Sequence, residues 1–205
     1  MHPSSLFHTD DLATRAIIAE NPLATIAANG KDGPVIAVLP LVWSEDGSKL
    51  IGHVGRSNPF WRSLQDTTPN ISAVFQAEQV YVSASAYPSK AEHGRVVPTW
   101  NYIAAEARGT LKFLSDPVDI RSSVAHLSDR MEADREVPWA VSDAPENYID
   151  QLINAIIAFE ICVSFVRGVK KLSQNKTSSE RAGVLADLAG RPDGTAMIKQ
   201  MEQVE

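Results

Sequence analysis

Apolar and polar residues alternate in short stretches over the first half of the chain, and each stretch ends in residues that favour turns. LATIAA (23–28) leads into Asn29-Gly30-Lys31-Asp32-Gly33, whose tolerance of positive φ predicts a hairpin. PVIAVLPLVW (34–43) stops at Ser44-Glu45-Asp46-Gly47, and KLIGHVG (49–55) follows. ISAVFQA (71–77) and VYVSASAY (80–87) predict two more strands, and TWNYIAAEARGTLKFL (99–114) predicts a single long one. The last is AFEICVSFVRG (158–168), where Phe159, Ile161, Val163 and Phe165 alternate.

Elsewhere the period is helical. Thr9 or Asp10 can cap a helix to Glu20, with Leu12, Ala16 and Ile17 on one face and Asn21-Pro22 stopping it. A brief helix is expected from Pro59 to Leu64. Ser115-Asp116-Pro117 opens another, with Ile120, Val124, Leu127 and Met131 in line, and Pro145 starts one along Tyr148, Ile149, Leu152 and Ile156. Thr177-Ser178-Ser179-Glu180 is a capping box for a helix through Val184, Leu185 and Leu188. Arg191-Pro192-Asp193-Gly194 breaks it, leaving a weak helix or tail. The expected fold is mainly β with flanking helices, a closed antiparallel barrel in one domain over 1–190 with a helical tail over 191–205.

Composition narrows the function. The chain has 205 residues, 44% apolar and 21% charged, with no apolar run long enough to span a membrane. The N-terminus lacks the pattern of a secretory signal, and Cys162 stands alone, so a reducing cytoplasm is expected. A net charge of −6 argues against direct binding to DNA. Dinucleotide, P-loop and nucleophile-elbow motifs are absent, and the five histidines have no zinc spacing.

Three segments carry candidate chemistry. In GHVGRSNPFWRSL (52–64), Arg56, Ser57 and Asn58 occupy the turn between a strand and a helix. They offer a guanidinium, a hydroxyl and an amide to a phosphate, or else form an Asn-Pro helix start in water. In VVPTWNYIAAEARG (96–109), Trp100, Asn101 and Tyr102 stand where a loop enters a strand, as walls for a planar ring or as ordinary core. In VRGVKKLSQNKTSSE (166–180), Lys170, Lys171, Ser173, Gln174 and Asn175 concentrate donors ahead of a helix, as a binding loop or a solvated one.

Together the three segments resemble the PaiB-type family of FMN-binding negative transcriptional regulators. The resemblance rests on Gly52-His53 with Arg56 to Trp61, on Val97 to Tyr102, and on Lys171 to Asn175. That family resembles the split-barrel flavoproteins related to pyridoxamine phosphate oxidase, which bind flavin mononucleotide (FMN) between two subunits. The resemblance implies a homodimeric split β-barrel. His53, Arg56, Ser57 and Asn58 would be on the phosphate side, Trp100 and Asn101 beside the ring, and Lys171, Ser173 and Gln174 would approach from the last strand. The chain departs from the oxidases where Asn58-Pro59 replaces their Arg-Lys pair. A barrel this small fills its own interior, so FMN needs a groove outside it, as two packed barrels provide.

Three functions stay open: a flavin-dependent redox protein acting on an unknown small molecule, a regulator working through a ligand or partner, and a fold holding another planar ligand such as haem.

Overall fold

The computed structural model describes residues 1–204. The short β1 (His8–Thr9) precedes α1 (Asp11–Glu20), whose start is fixed by Asp10 Oδ1 accepting the Ala13 N–H at 2.7 Å. β2 (Leu23–Gly30) and β3 (Gly33–Pro40) pair with Gly30 opposite Gly33, so Lys31 and Asp32 alone make the connection. Gly33 takes a φ of +122°, which a side chain would strain. Then follow β4 (Val42–Trp43), β5 (Lys49–Gly55), α2 (Pro59–Leu64), β6 (Asn70–Val82), α3 (Ser89–Glu92), β7 (Thr99–Leu114), α4 (Pro117–Glu132), α5 (Glu146–Asn154), β8 (Ile156–Lys171), α6 (Ser178–Ala189) and α7 (Thr195–Glu202).

Two differences from the sequence pattern have local causes. The stretch 34–43 divides because Leu41 donates its N–H to Pro22 O at 2.8 Å. The stretches 71–77 and 80–87 merge into β6, in which buried positions change phase between Phe75 and Val80, and residues 84–86 turn as a short 3-10 helix.

The chain divides into two compact units. A sheet unit comprises Ile18–Phe75 and Glu106–Val166, and a terminal unit comprises Met1–Ile17, Gln76–Ala105 and the residues from Arg167 on. β6, β7 and β8 contribute residues to both.

In the sheet unit the strands run in the order β3-β2-β6-β7-β8-β5-β4, an antiparallel sheet with flanking helices. Ala24, Ile26, Leu50, Ala73, Phe75, Leu111, Phe159 and Ile161 are buried in its core. Gly52 of β5 lies so close to the end of β3 that a Cβ there would stand 2.8 Å from both Leu41 Cδ2 and Phe159 Cζ. The two sides of the sheet therefore curl toward each other. Beneath α4 and α5, Ile120, Val141, Ile149, Ile153 and Ala158 form a second apolar cluster.

In the terminal unit β1 pairs with β8, His8 opposite Val169. Residues 195–202 form α7, which buries Met197 and Met201, while α6 buries Val184 and Leu188. Arg181 donates to the carbonyls of Leu172, Met201 and Val204, which gathers the end of α7 onto α6. Among the described residues no helix is long and apolar enough to cross a membrane.

Candidate functional site

In the sheet unit, β5 ends in a turn that closes when Asn58 donates its N–H to Gly55 O at 2.9 Å. Asn58 then caps α2, its Oδ1 accepting from Phe60 N at 2.9 Å, with Pro59 in the first helical position. Arg56 is anchored by its own backbone: its N–H donates to Ala155 O and its Nε to Asn154 O at 2.8 Å. Its terminal amines have no partner among the described residues, and the side chain is exposed. The exposed Ser57 likewise leaves its hydroxyl and N–H unpaired.

His53 sits opposite Ala158, on the sheet face that carries the cluster under α4 and α5. Its Nδ1 is buried with no partner. Burial therefore pushes the imidazole below its ordinary value of 6.5. Between that lowered value and 6.5 the unfolded chain binds a proton that the folded chain refuses, so stability falls as pH drops through this window. We expect His53→Gln to flatten that fall, as read by urea denaturation at about pH 7 and about pH 5.5.

In the terminal unit, the start of β7 meets the end of β8. Lys171 Nζ donates to Thr99 Oγ1 at 2.9 Å and to Trp100 O at 2.5 Å. Burial, and secondarily Lys176, lower the affinity of Lys171 for its proton. Trp100 is 53% exposed and meets Tyr81 edge to face, ring centres 5.9 Å apart. A small cavity of about 160 Å³ opens beside it, lined also by Gln76, Gln79 and Tyr102.

Asn101 and Ser173 are placed differently from residues that touch a ligand. Asn101 is fully buried, its Nδ2 donating to Ser173 Oγ at 3.0 Å while that hydroxyl donates back to Oδ1 at 3.1 Å. Ser173 holds a φ of 65°, rare for a residue with a side chain. Gln174 folds back on the chain, accepting from Leu172 N and donating to Lys170 O. Asn101→Ala should destabilise the protein by about 2–3 kcal/mol, because it opens a void and strands the Ser173 hydroxyl. A urea melt measures this loss. The sequence reading missed Tyr81 and Thr99. Tyr81 was visible as the outward aromatic between inward Val80 and Val82. Thr99 had no signal, because its partner lies 72 residues away.

Residues 1–164 match the family described as "Putative FMN-binding domain". The chain belongs to that family. Relatives of this FMN-binding-domain protein include the "Protease synthase and sporulation protein PAI 2" of Bacillus subtilis. That protein is 25% identical over 189 residues, covering 90% of this chain and 88% of the relative. The uncharacterized protein AN0679 of Emericella nidulans is 30% identical over 207 residues, covering 83% and 82%. The PaiB-type resemblance drawn from the three segments agrees with these matches.

Among solved structures, the FAD and heme binding protein from Mycobacterium smegmatis superposes with a TM-score of 0.61 at 17% identity, covering 85% of this chain and 77% of that one. The flavocytochrome Anf3 from Azotobacter vinelandii gives 0.59 at 13%, covering 83% and 72%. At such identities the likeness is one of fold.

Each unit, taken by itself, offers groups of the kind a flavin nucleotide needs. A phosphate needs donors that are free of other duties, and the Arg56 amines and the Ser57 hydroxyl and N–H meet that need. A planar ring needs an exposed aromatic face with a donor held nearby, and Trp100 with Lys171 provides both.

Proposed function

We propose that the protein is an FMN-dependent redox protein built as a homodimeric split β-barrel and working in the cytoplasm. The observation that carries this reading is the Arg56 side chain, fastened by Nε to Asn154 O while its terminal amines stay free. A guanidinium fixed in this way is preorganised for a dianion. Arg56, Ser57 and the Asn58 amide hold the phosphate, and His53 stays neutral beside them. In the terminal unit, taken by itself, Trp100 presents an aromatic face and Lys171 a remaining N–H that suit a planar ring. Asn101, Ser173 and Gln174 are positioning residues that fix the chain around Lys171.

When bound, FMN supplies reversible one- and two-electron transfer. The protein binds the cofactor, orients it and limits water at the ring. The cavity beside Trp100 and Tyr102 takes part of a small redox substrate.

The homodimer is supported by an apolar sheet face in the sheet unit. Ala27 and Thr25 of β2 stand opposite Ile36 and Val38 of β3, and Thr25 stands opposite Val74 of β6, so all five share one face. Ile36 is 66% and Val38 59% exposed, and Leu23, on the same face, is 62% exposed. Such a patch on a chain of charge −6 fits burial against a second copy. The regulatory reading draws on the resemblance to the PaiB-type family of negative transcriptional regulators and requires no different flavin site.

The test is the visible spectrum of the purified protein, followed by chromatography of any chromophore released on denaturation. FMN is the expected product. A colourless protein that takes up no added FMN would overturn the reading.

A further inference from the structure

In a regular strand Gln76 and Gln79, three residues apart, would face opposite sides of the sheet. In β6 they do not. Ile71, Ala73 and Phe75 are buried, then Val80 and Val82, so the two runs are out of phase and both glutamines fall on the exposed side. Irregularities of this kind re-aim side chains and recur beside functional sites. On the neighbouring β7, Trp100 and Tyr102 alternate with the buried Asn101 and Ile103 and so share one side. The cavity of about 160 Å³ is lined by Gln76, Gln79, Trp100 and Tyr102, all within the terminal unit.

Among the described residues no charged side chain lines this cavity. An anion or an ammonium entering it would lose water and gain no partner of opposite sign. The polar groups present are the two glutamine amides and the Tyr102 hydroxyl, none of which has a hydrogen-bond partner among the described residues. Burial pushes the Tyr102 phenol above its ordinary value of 10.0, so it keeps its proton at neutral pH. Each of these groups both donates and accepts. Trp100, 53% exposed, adds a flat aromatic wall. Sites that enclose a drug-sized molecule measure roughly 300–1,000 Å³, so this one suits a single ring.

We infer that the ligand of this cavity is an uncharged single-ring quinone. A quinone presents carbonyl oxygens that accept hydrogen bonds, and its hydroquinone presents hydroxyls that donate them. Amides and a phenol turn to serve both forms, which a fixed ammonium or carboxylate cannot do. Conversion of quinone to hydroquinone takes up two electrons and two protons. One fully reduced flavin releases that number on returning to its oxidised form, and a reduced nicotinamide is the class of donor that recharges it. The inference rests on the redox reading only in making this ligand a substrate; its binding needs no flavin.

Ligand-observed NMR titration of the full chain as purified tests it, with duroquinone, anaerobic durohydroquinone, benzoate and benzylamine as probes. The FMN content of the same sample is read from its visible spectrum. We expect saturable binding of duroquinone and durohydroquinone with affinities within about threefold, and binding of benzoate and benzylamine at least about tenfold weaker. Combined Gln76→Leu and Gln79→Leu should weaken both quinone forms at least about tenfold, and Tyr102→Phe about three- to tenfold. Gln151→Leu, on the exposed side of α5, should change nothing. Circular dichroism and a thermal melt of each variant separate lost binding from lost fold. Duroquinone binding to a chain that takes up no FMN would support the ligand class and remove the redox reading. FMN uptake without duroquinone binding, equal affinity for benzoate, or unchanged affinity in a folded Gln76/Gln79 variant would each overturn the inference.

Discussion

Changing Ile36 and Val38 together to glutamate should turn the proposed homodimer into monomers. Both side chains are more than half exposed on the face they share with Thr25 and Ala27, so glutamate there meets no obstacle within one chain. In a packed interface the same change removes two apolar anchors worth about 1.5–3 kcal/mol each and buries two unpaired charges. The dimer dissociation constant should rise by more than about a thousandfold. Sedimentation at micromolar concentration, with circular dichroism as the check on folding, reads the result. A variant that stays folded and dimeric would place the interface elsewhere.

Arg56→Ala should weaken FMN binding about ten- to a hundredfold while leaving riboflavin nearly untouched. The loss corresponds to a charge-assisted bond to phosphate of about 1.5–3 kcal/mol. Riboflavin lacks the phosphate and has nothing to lose at that position. Arg56→Lys should fall between, since an ammonium restores charge without the fork anchored on Asn154 O. Fluorescence titrations with both ligands compare the three proteins. Equal losses for FMN and riboflavin would mean that Arg56 supports the fold or meets the ring.

The sequence was most readable where structure is local. Asn58-Pro59 announced the start of α2, Asp116-Pro117 that of α4 and Thr177 that of α6, because each cap bonds to a residue two or three positions on. Alternation located the strands but misjudged their ends. β6 crosses Glu78 and Gln79 with a change of phase, which reads as an interruption. The residues of the candidate site were visible as types, yet their tasks depend on distant partners. Asn101 reads as a donor to a ring edge until Ser173, 72 residues on, is seen to occupy its amide.

The left-handed Ser173 also limits how this chain can drift in sequence. That backbone state costs a residue with a side chain about 1–2 kcal/mol, and glycine escapes the cost. Serine offsets it through its two bonds with Asn101, so glycine relieves the backbone only by giving up those bonds, and any branched replacement is closed. Once glycine is in place, Asn101 keeps a buried amide with nothing to bond except Met201 Sδ, at 3.5 Å. Residue 101 then comes under pressure to become apolar, so the two positions should change together across descendants of this sequence.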